Sequence, residues 1–457
     1  MNAIPNSPLH ITPLDLMALR HFLYCFCWIA CTPVLSLNLG HIGAEGFDRV
    51  LILPDIHGDL RVLFRSLWLA ARKTNWPDVL ESELMDAFIH GEMMPPAAAE
   101  YRVALVQLGD VVNRGPAGKT CYATLLAVER TLGWKLFLLF GNHELMAFTG
   151  SDTQYVHEAD YGLFGGRNGR SFEFSPFGNL WQHINFNSLL VARLGVGSTQ
   201  LSDVPSDLDT LFVHGGIEMA WFEAHVDSAV NESIDVGDLN KQVRMVMRDP
   251  VAAHDLLSAK NSPIWTRKFT ENSFSPEWCQ TELPRILQVF RVSRIVVGHC
   301  PLARKRAIAT CNGQVLLTDV TMSRWMSRGG QPVAIIMSIE ANEEGTPVLD
   351  SIVAHYVGSD IDLEETDILW PPSDETSEDS FEGNQEYDGE IAALAEARQA
   401  ESPSLHLTES AEHLPIPFAA ALLEEQPQGF TRRCTRGLEI LHQIGRGGHH
   451  PIGAGMC

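Results

Sequence analysis

Positive charge is scarce in this sequence. Its 457 residues hold 33 Lys and Arg against 57 Asp and Glu, a formal net charge of −24. No nucleic-acid partner is expected, because a phosphate backbone demands a basic surface. Cys-x-x-Cys spacing is absent among the nine cysteines, at positions 25, 27, 31, 121, 279, 300, 311, 434 and 457. Neither a zinc knuckle nor a dense disulfide framework is therefore expected. The cysteines beyond the first three read as small buried hydrophobes and single thiols. No internal repeat is present. What the chain does have is material for a core, with 45% hydrophobic and 8% aromatic residues.

Charge is missing altogether from Phe22–Leu39, a mostly apolar run preceded by Arg20 and His21 and broken by Pro33. A membrane-spanning helix needs about 20 apolar residues, and this run falls slightly short. A basic flank, an apolar stretch and then the small residues Gly43 and Ala44 fit a secretory signal or an uncleaved anchor. Residues 1–47 are therefore expected to be a signal peptide or membrane anchor. The protein would then be secreted or membrane-associated, and cytoplasmic if the segment is not a signal. At the other end, basic residues are missing from Asp360 to Glu390, where thirteen acidic residues occur among prolines and serines. Residues 358–457 read as an acidic, disordered tail.

Between them, residues 48–357 alternate. Strand-length apolar runs stand at Val50–Leu53, Val103–Leu108, Leu136–Phe140, Leu211–Val213, Arg294–Val297, Val315–Leu317 and Val333–Met337. Helical patterns lie between, over Leu60–Lys73, Lys119–Thr131, Leu239–Ala259 and Leu283–Phe290. This predicts a layered α/β core. In such cores, functional groups gather in loops at the carboxyl ends of strands. The stretch 150–205, richer in Gly, Asn, Ser and Phe, reads as an insertion over the site.

Five of these runs end in residues competent for metal or acid–base chemistry. They are Pro54-Asp-Ile-His-Gly-Asp59, Leu108-Gly-Asp-Val-Val-Asn-Arg-Gly115, Gly141-Asn-His-Glu144, His214-Gly-Gly216 and Gly298-His-Cys-Pro301. Each fragment alone has a bland explanation. A single histidine after a strand is usually a loop histidine, and Asn142 could simply cap a helix. Five such endings together are hard to produce from packing needs. Carboxylate, imidazole and amide donors in one set suit Mn, Fe or Zn and disfavour an all-oxygen Mg or Ca cage. Two ions about 4 Å apart need a bridging carboxylate and clamp the attacking and leaving oxygens of an in-line displacement. A water bridging them becomes a hydroxide nucleophile near neutral pH. The leaving oxygen then needs a proton, for which imidazole is suited, and phosphate oxygens suit a guanidinium fork.

These blocks, in this order, resemble the calcineurin-like metallophosphoesterase superfamily and its phosphoprotein phosphatase branch. Ser262–Arg267, Val296–Pro301 and Asp319–Trp325 look more narrowly like the bacterial-like group of Shewanella-like protein phosphatases. The resemblance covers roughly residues 48–357. It implies a central β-sandwich flanked by helices, with a dimetal site on loops at strand ends. It also implies roles by position. Asp55 and His57 hold the first ion, Asp110 bridges, and Asn142, His214 and His299 complete the second. His143 is the general acid, Arg114 grips phosphate and Arg267 is a second phosphate ligand. Glu144 is structural or supports the ligands.

Two positions depart from the family pattern. Pro54 stands where a small residue is usual, and Asn113 stands where a second aspartate is usual, paired with the histidine that is His143 here. An amide cannot stabilise an imidazolium as a carboxylate does. The expected function is a dimetal phosphomonoesterase acting on phosphoprotein, with Ser/Thr or Tyr open. Two alternatives stand beside it. One is a hydrolase of dinucleoside polyphosphates or other phosphorylated small molecules. The other is a metal-binding pseudophosphatase scaffold, supported by Asn113 alone.

Overall fold

The computed structural model describes residues 40–95, 101–196, 205–226, 234–326, 329–357 and 364–371. All belong to one compact unit, Asn38–Leu423. Most of the N-terminal segment 1–47 and nearly all of the acidic tail lie outside the described residues. No helix among the described residues is long and apolar enough to cross a membrane.

The described strands, in chain order, are β1 His41–Gly43, β2 Arg49–Leu53, β3 Val103–Gln107, β4 Lys135–Leu139, β5 Ser188–Leu189, β6 Val191–Gly195, β7 Thr210–Val213, β8 Arg294–Val297, β9 Ile308–Thr310, β10 Val315–Leu317, β11 Val333–Ala341, β12 Pro347–Val357 and β13 Glu364–Trp370. They form two sheets. One has the order β13-β12-β11-β2-β3-β4-β5, the other β1-β6-β7-β8-β10-β9. In the first, β2 to β5 run parallel and β11 to β13 add antiparallel to the β2 side. In the second, β7, β8 and β10 are parallel neighbours. Helices flank both sheets, as the resemblance implies.

All seven expected strands are present, and their sequence explains where they lie. β3 and β8 are buried along their whole length, which is why they read as mostly apolar, with Gln107 and Arg294 the exceptions at their ends. β12 instead alternates buried and half-buried residues through its second half, as an antiparallel strand with only one face in the core does. One core, fed from both sheets, takes Val50–Leu53, Leu105, Val106, Phe212, Val213, Ile295 and Val296. Removing each such Val, Leu or Ile side chain from water stabilises by about 1.5–3 kcal/mol.

Helix α1, Leu60–Lys73, follows β2 and is capped by Asp59, whose side chain accepts from the Val62 N–H at 3.3 Å. After α2, Glu81–His90, helix α3 spans Gly118–Leu132 and stops at Gly133, in the left-handed conformation with φ 71°. Helix α4, Asn142–Thr149, starts at the end of β4. The expected insertion holds α5 Glu158–Leu163, α6 Arg167–Glu173 and α7 Asn179–Asn187, and also β5 and β6 of the sheets themselves. After α8, Met219–His225, the single helix expected over Leu239–Ala259 is two. They are α9 Val236–Val246 and α10 Pro250–Leu257, because Asp249 caps a new helix with Pro250 in its first turn. Helix α11 is Lys268–Asn272. Helix α12 runs Pro276–Phe290, starting well before Leu283, since Ser275 caps it and Pro276 opens it.

Two further differences concern charge and thiols. Glu364–Trp370 carries the acidic composition expected of a tail, yet it is the edge strand β13. Its charges have partners: Arg306 pairs with Glu365 and, at 2.7 Å, with Asp367, and Lys73 meets Glu364 at 2.7 Å. Cys279 and Cys311, expected as separate thiols, form a disulfide across 32 residues, whereas Cys121 and Cys300 are free and buried.

Candidate metal centre

The five strand endings meet at one edge. Asp55 and His57 follow β2, Asp110 follows β3, and Asn142 and His143 open α4 after β4. His214 follows β7 and His299 follows β8, so the set draws on both sheets. The loops are stitched together by backbone. The N–H groups of Ile56 and His57 both donate to the Asp110 carbonyl, at 3.1 and 2.9 Å, and Gly298 N–H donates to the His214 carbonyl at 2.8 Å. Glu144 accepts the backbone N–H groups of Asp110, Val111, Val112 and Gly141 at 2.8, 2.9, 3.3 and 3.0 Å. It therefore shapes the loop that presents Asp110, in keeping with the supporting role expected of it.

That backbone is strained. His57, Asp110, Asn113, Arg114 and His299 are all left-handed, with φ of 48°, 54°, 70°, 64° and 65°. Outside glycine this conformation costs about 1–2 kcal/mol per residue and clusters at functional sites. Gly141 is needed for space: a Cβ there would lie 2.2 Å from Asp110 Oδ1.

Asp110 is the centre of the arrangement. Its Oδ2 lies 3.8 Å from His57 Nε2 and 3.9 Å from His143 Nε2, and its Oδ1 lies 3.4 Å from His214 Nε2. Two triads of ligand-competent atoms share it: His57, Asp110 and His143, and Asp110, His214 and His299, with the atoms of each within 4.8 Å of one another. Asp55 Oδ2 stands 3.9 Å from His57 Nε2, and Asn142 Oδ1 stands 3.0 Å from His214 Nε2. The His214 ring is aimed by its Nδ1, 2.8 Å from the Leu108 carbonyl.

All these side chains are buried. Burial, with Asp319 and Asp110 nearby, raises the Asp55 carboxyl well above its ordinary value. Burial would raise Asp110 too, but His214 and His143 outweigh it and hold that carboxyl well below the usual range. Burial pushes His57 and His299 down, and takes His143 down to about 4 with Arg114 adding and Asp110 opposing. His214 is the exception: burial alone would lower it, but the Asp110 and Asp55 carboxylates raise it to about 10.

The donor set fits first-row metal ions. Asp55 Oδ2 and His299 Nε2 are buried and have no hydrogen-bond partner among the described residues, and two neutral imidazoles face the shared carboxylate. Buried polar atoms left open cost about 1–3 kcal/mol each unless something binds them.

The remaining expected residues are at the rim. Asn113 Nδ2 lies 3.1 Å from His143 Nδ1. Arg114 sits 5.2 Å from the centre of the Tyr155 ring, which itself lies 5.2 Å from the His143 ring. Arg267 reaches Cys300 Sγ, beside His299, at 3.9 Å. Three residues were not assigned a role from sequence. Tyr155 and Arg170 come from the insertion and carry no motif. Asp319, buried with Oδ2 unpartnered among the described residues, follows β10 and so obeys the same strand-end rule as the others.

Comparison with known proteins gives the following. A family model described as calcineurin-like phosphoesterase matches residues 48–301. Shewanella-like protein phosphatase 1 of Plasmodium berghei is 22% identical over 305 residues, 64% of this chain and 72% of that protein. An uncharacterised protein of Schizosaccharomyces pombe is 25% identical over 278 residues, 59% of this chain and 72% of its own length. Among solved structures, a cold-active protein-tyrosine phosphatase of a psychrophilic Shewanella species is 20% identical with a TM-score of 0.48, covering 72% of this chain and 82% of that one.

Proposed function

The chain belongs to the calcineurin-like phosphoesterase family, and we propose that it is a dimetal phosphomonoesterase acting on phosphoprotein. The observation that carries this reading is the single buried carboxylate, Asp110, standing in both ligand triads. Asp55 and His57 would hold one ion with Asp110, and Asn142, His214 and His299 would hold the other. Mn, Fe and Zn suit such mixed donors. Bound there, the ions supply Lewis acidity and a nucleophile made from water.

The rest of the chemistry belongs to the chain's own side chains. Arg114 and Arg267 draw in the phosphate oxygens by charge-assisted hydrogen bonds. Tyr155 keeps Arg114 and His143 on one side of the cleft by packing against both. His143, 3.9 Å from Asp110 through Nε2, points Nε2–H at the leaving oxygen and, in its imidazolium form, would give it that proton. His143 also falls in the first triad, where geometry alone would allow it to be a ligand. Its bond to Asn113 argues against ligation, since an amide NH2 donating to Nδ1 leaves the ring proton on Nε2, where a metal ligand needs a bare nitrogen. The relative named as a protein phosphatase supports a phosphoprotein over a small phosphate compound.

The test is metal analysis of the purified protein with parallel turnover of phosphotyrosine and phosphoserine peptides and a dinucleoside tetraphosphate. Two ions per chain and turnover of a phosphopeptide are expected. Turnover of the nucleotide alone would replace the phosphoprotein reading. Bound metal without hydrolysis of any aryl phosphate, with Asp110→Asn altering binding only, would make the chain a scaffold.

A further inference from the structure

The Asn113 side chain is sandwiched between two partners of different chemistry. On one side Arg170 Nη2 stands 2.8 Å from Asn113 Oδ1, and on the other Asn113 Nδ2 stands 3.1 Å from His143 Nδ1. A guanidinium has only donors to offer, so the amide must turn its carbonyl oxygen toward Arg170. The NH2 then faces His143, and an NH2 can only donate. His143 Nδ1 is therefore the acceptor, and a ring accepting at Nδ1 carries its proton on Nε2, the nitrogen that faces Asp110 and the cleft. Turning the amide over would set donor against donor at Arg170.

Arg170 is fixed in turn. It is buried on α6, with Nη2 2.8 Å from Asp152 Oδ2 and Nε 3.5 Å from Asp160 Oδ2, both carboxylates also buried. Its guanidinium lies over the Phe174 ring at 4.7 Å, with Phe164 and Tyr161 at 5.8 and 5.9 Å. Every one of these groups comes from the segment between α4 and α7. A carboxylate at position 113 can only accept, so it would call for a proton on His143 Nδ1 wherever Arg170 stood. Only the amide converts the position of Arg170 into a choice between the two ring nitrogens.

We propose that Arg170 is a positioning residue that acts through Asn113, orienting its amide so that neutral His143 is held as the Nε2–H tautomer, a hydrogen-bond donor to the leaving oxygen of the phosphoester. The inference rests on the phosphomonoesterase reading for its consequence in turnover, but not for the tautomer itself. The insertion thereby sets the proton placement of a residue that it does not touch through Arg170 directly.

A double-mutant cycle tests it on the full-length, metal-loaded protein with p-nitrophenyl phosphate. Arg170→Lys keeps a buried cation for Asp152 and Asp160 but loses the fork. Asn113→Leu removes the amide and leaves the ion pairs intact. Each is expected to lower kcat by about tenfold, part of what a positioned hydrogen-bond donor contributes, with KM unchanged within about twofold. The double variant is expected to match the weaker single variant, because once the amide is gone Arg170 has nothing to act through. Independent, multiplying losses would overturn the proposal. If Arg170→Lys does not fold, the 15N signals of the His143 ring decide. They are read in zinc-loaded protein, with the metal-free form alongside, and assigned by their loss in His143→Gln. A protonated Nε2 and a bare Nδ1 are expected, and a protonated Nδ1 would overturn the proposal. Absence of any turnover by the wild-type protein would refute the phosphomonoesterase reading instead, and the ring signals would still settle the tautomer.

Discussion

Adding one methyl group at Gly141 should cost the protein its metal centre. Built on the backbone, the Cβ of Gly141→Ala lies 2.2 Å from Asp110 Oδ1, 2.5 Å from Asp110 N and 2.8 Å from Glu144 Oε2. The first ordinary contact distance is 3.4 Å, so Oδ1 must retreat by about 1.2 Å. It cannot do so alone. That oxygen accepts the His143 N–H at 2.9 Å and lies 3.4 Å from His214 Nε2, and the Asp110 N–H is itself held by Glu144. The φ at Gly141 is −100°, so alanine meets no backbone strain and the effect is purely one of space. Overpacking of this kind costs about 1–3 kcal/mol of stability. A displacement of about 1 Å in a catalytic group costs about 100-fold in rate. Inductively coupled plasma mass spectrometry would report fewer than two ions per chain, and kcat/KM on p-nitrophenyl phosphate would fall by about two orders of magnitude. Gly46→Ala is the control, because a Cβ there meets nothing within 4 Å. A Gly141→Ala protein with two ions and activity within about threefold of wild type would refute the view that Asp110 needs its present position.

Three other outcomes follow from the same geometry. His214, raised to about 10 by Asp110 and Asp55, is protonated at neutral pH and must give up that proton to ligate, so metal affinity should rise with pH. Calorimetry in buffers of different ionisation enthalpy should show at least one proton released per chain; no release would contradict the assigned ligand. Asn113→Asp places a carboxylate beside His143, now held down to about 4 by burial, and a carboxylate there raises it. The acid form then persists to higher pH, so the activity optimum should move up and alkyl phosphates should gain on aryl phosphates. An unchanged profile and leaving-group dependence would count against an acid role. Finally, a peptide map without reductant should recover Cys279 linked to Cys311, and Cys279→Ser/Cys311→Ser should lower stability by about 4 kcal/mol in the loop-entropy limit.

The parts of this protein legible in its sequence are those in which chemistry and periodicity coincide. Val103–Leu108 is apolar but for Gln107 because β3 is covered on both faces, and Asp110, Asn113 and Arg114 follow it because that loop lines the site. The pairing of strands into two sheets was not legible from periodicity, which reports burial but not partners; the family resemblance alone implied a sandwich. β13 was hidden for a different reason. Seven residues, three of them acidic, suggest solvated chain, until Arg306 and Lys73, far away in sequence, are placed against them. The break at Asp249-Pro250 was visible in principle, since a capping residue before proline marks a helix start. Arg170 was not. It is a basic residue in a glycine-rich segment, and only the fold brings it beneath Asn113.

The donors of the candidate centre are divided between the two sheets, and this makes the site a gauge of how the sheets lie on one another. Asp55 and Asp110 come from strand ends of the first sheet, His214 and His299 from the second, and the joining contacts, His299 N–H to Asp55 Oδ1 at 3.2 Å and His214 Nδ1 to the Leu108 carbonyl at 2.8 Å, run between them. A slip of one sheet past the other by even a fraction of a residue's rise, about 3.3 Å, would part all of these pairs together. Core substitutions such as Val106→Ala or Val296→Ala, on the strands that lead to Asp110 and His299, would then register as weakened metal affinity before they register as unfolding. Equally, ions held across that seam would act as rivets, setting the alignment of two layers whose shared core is otherwise apolar.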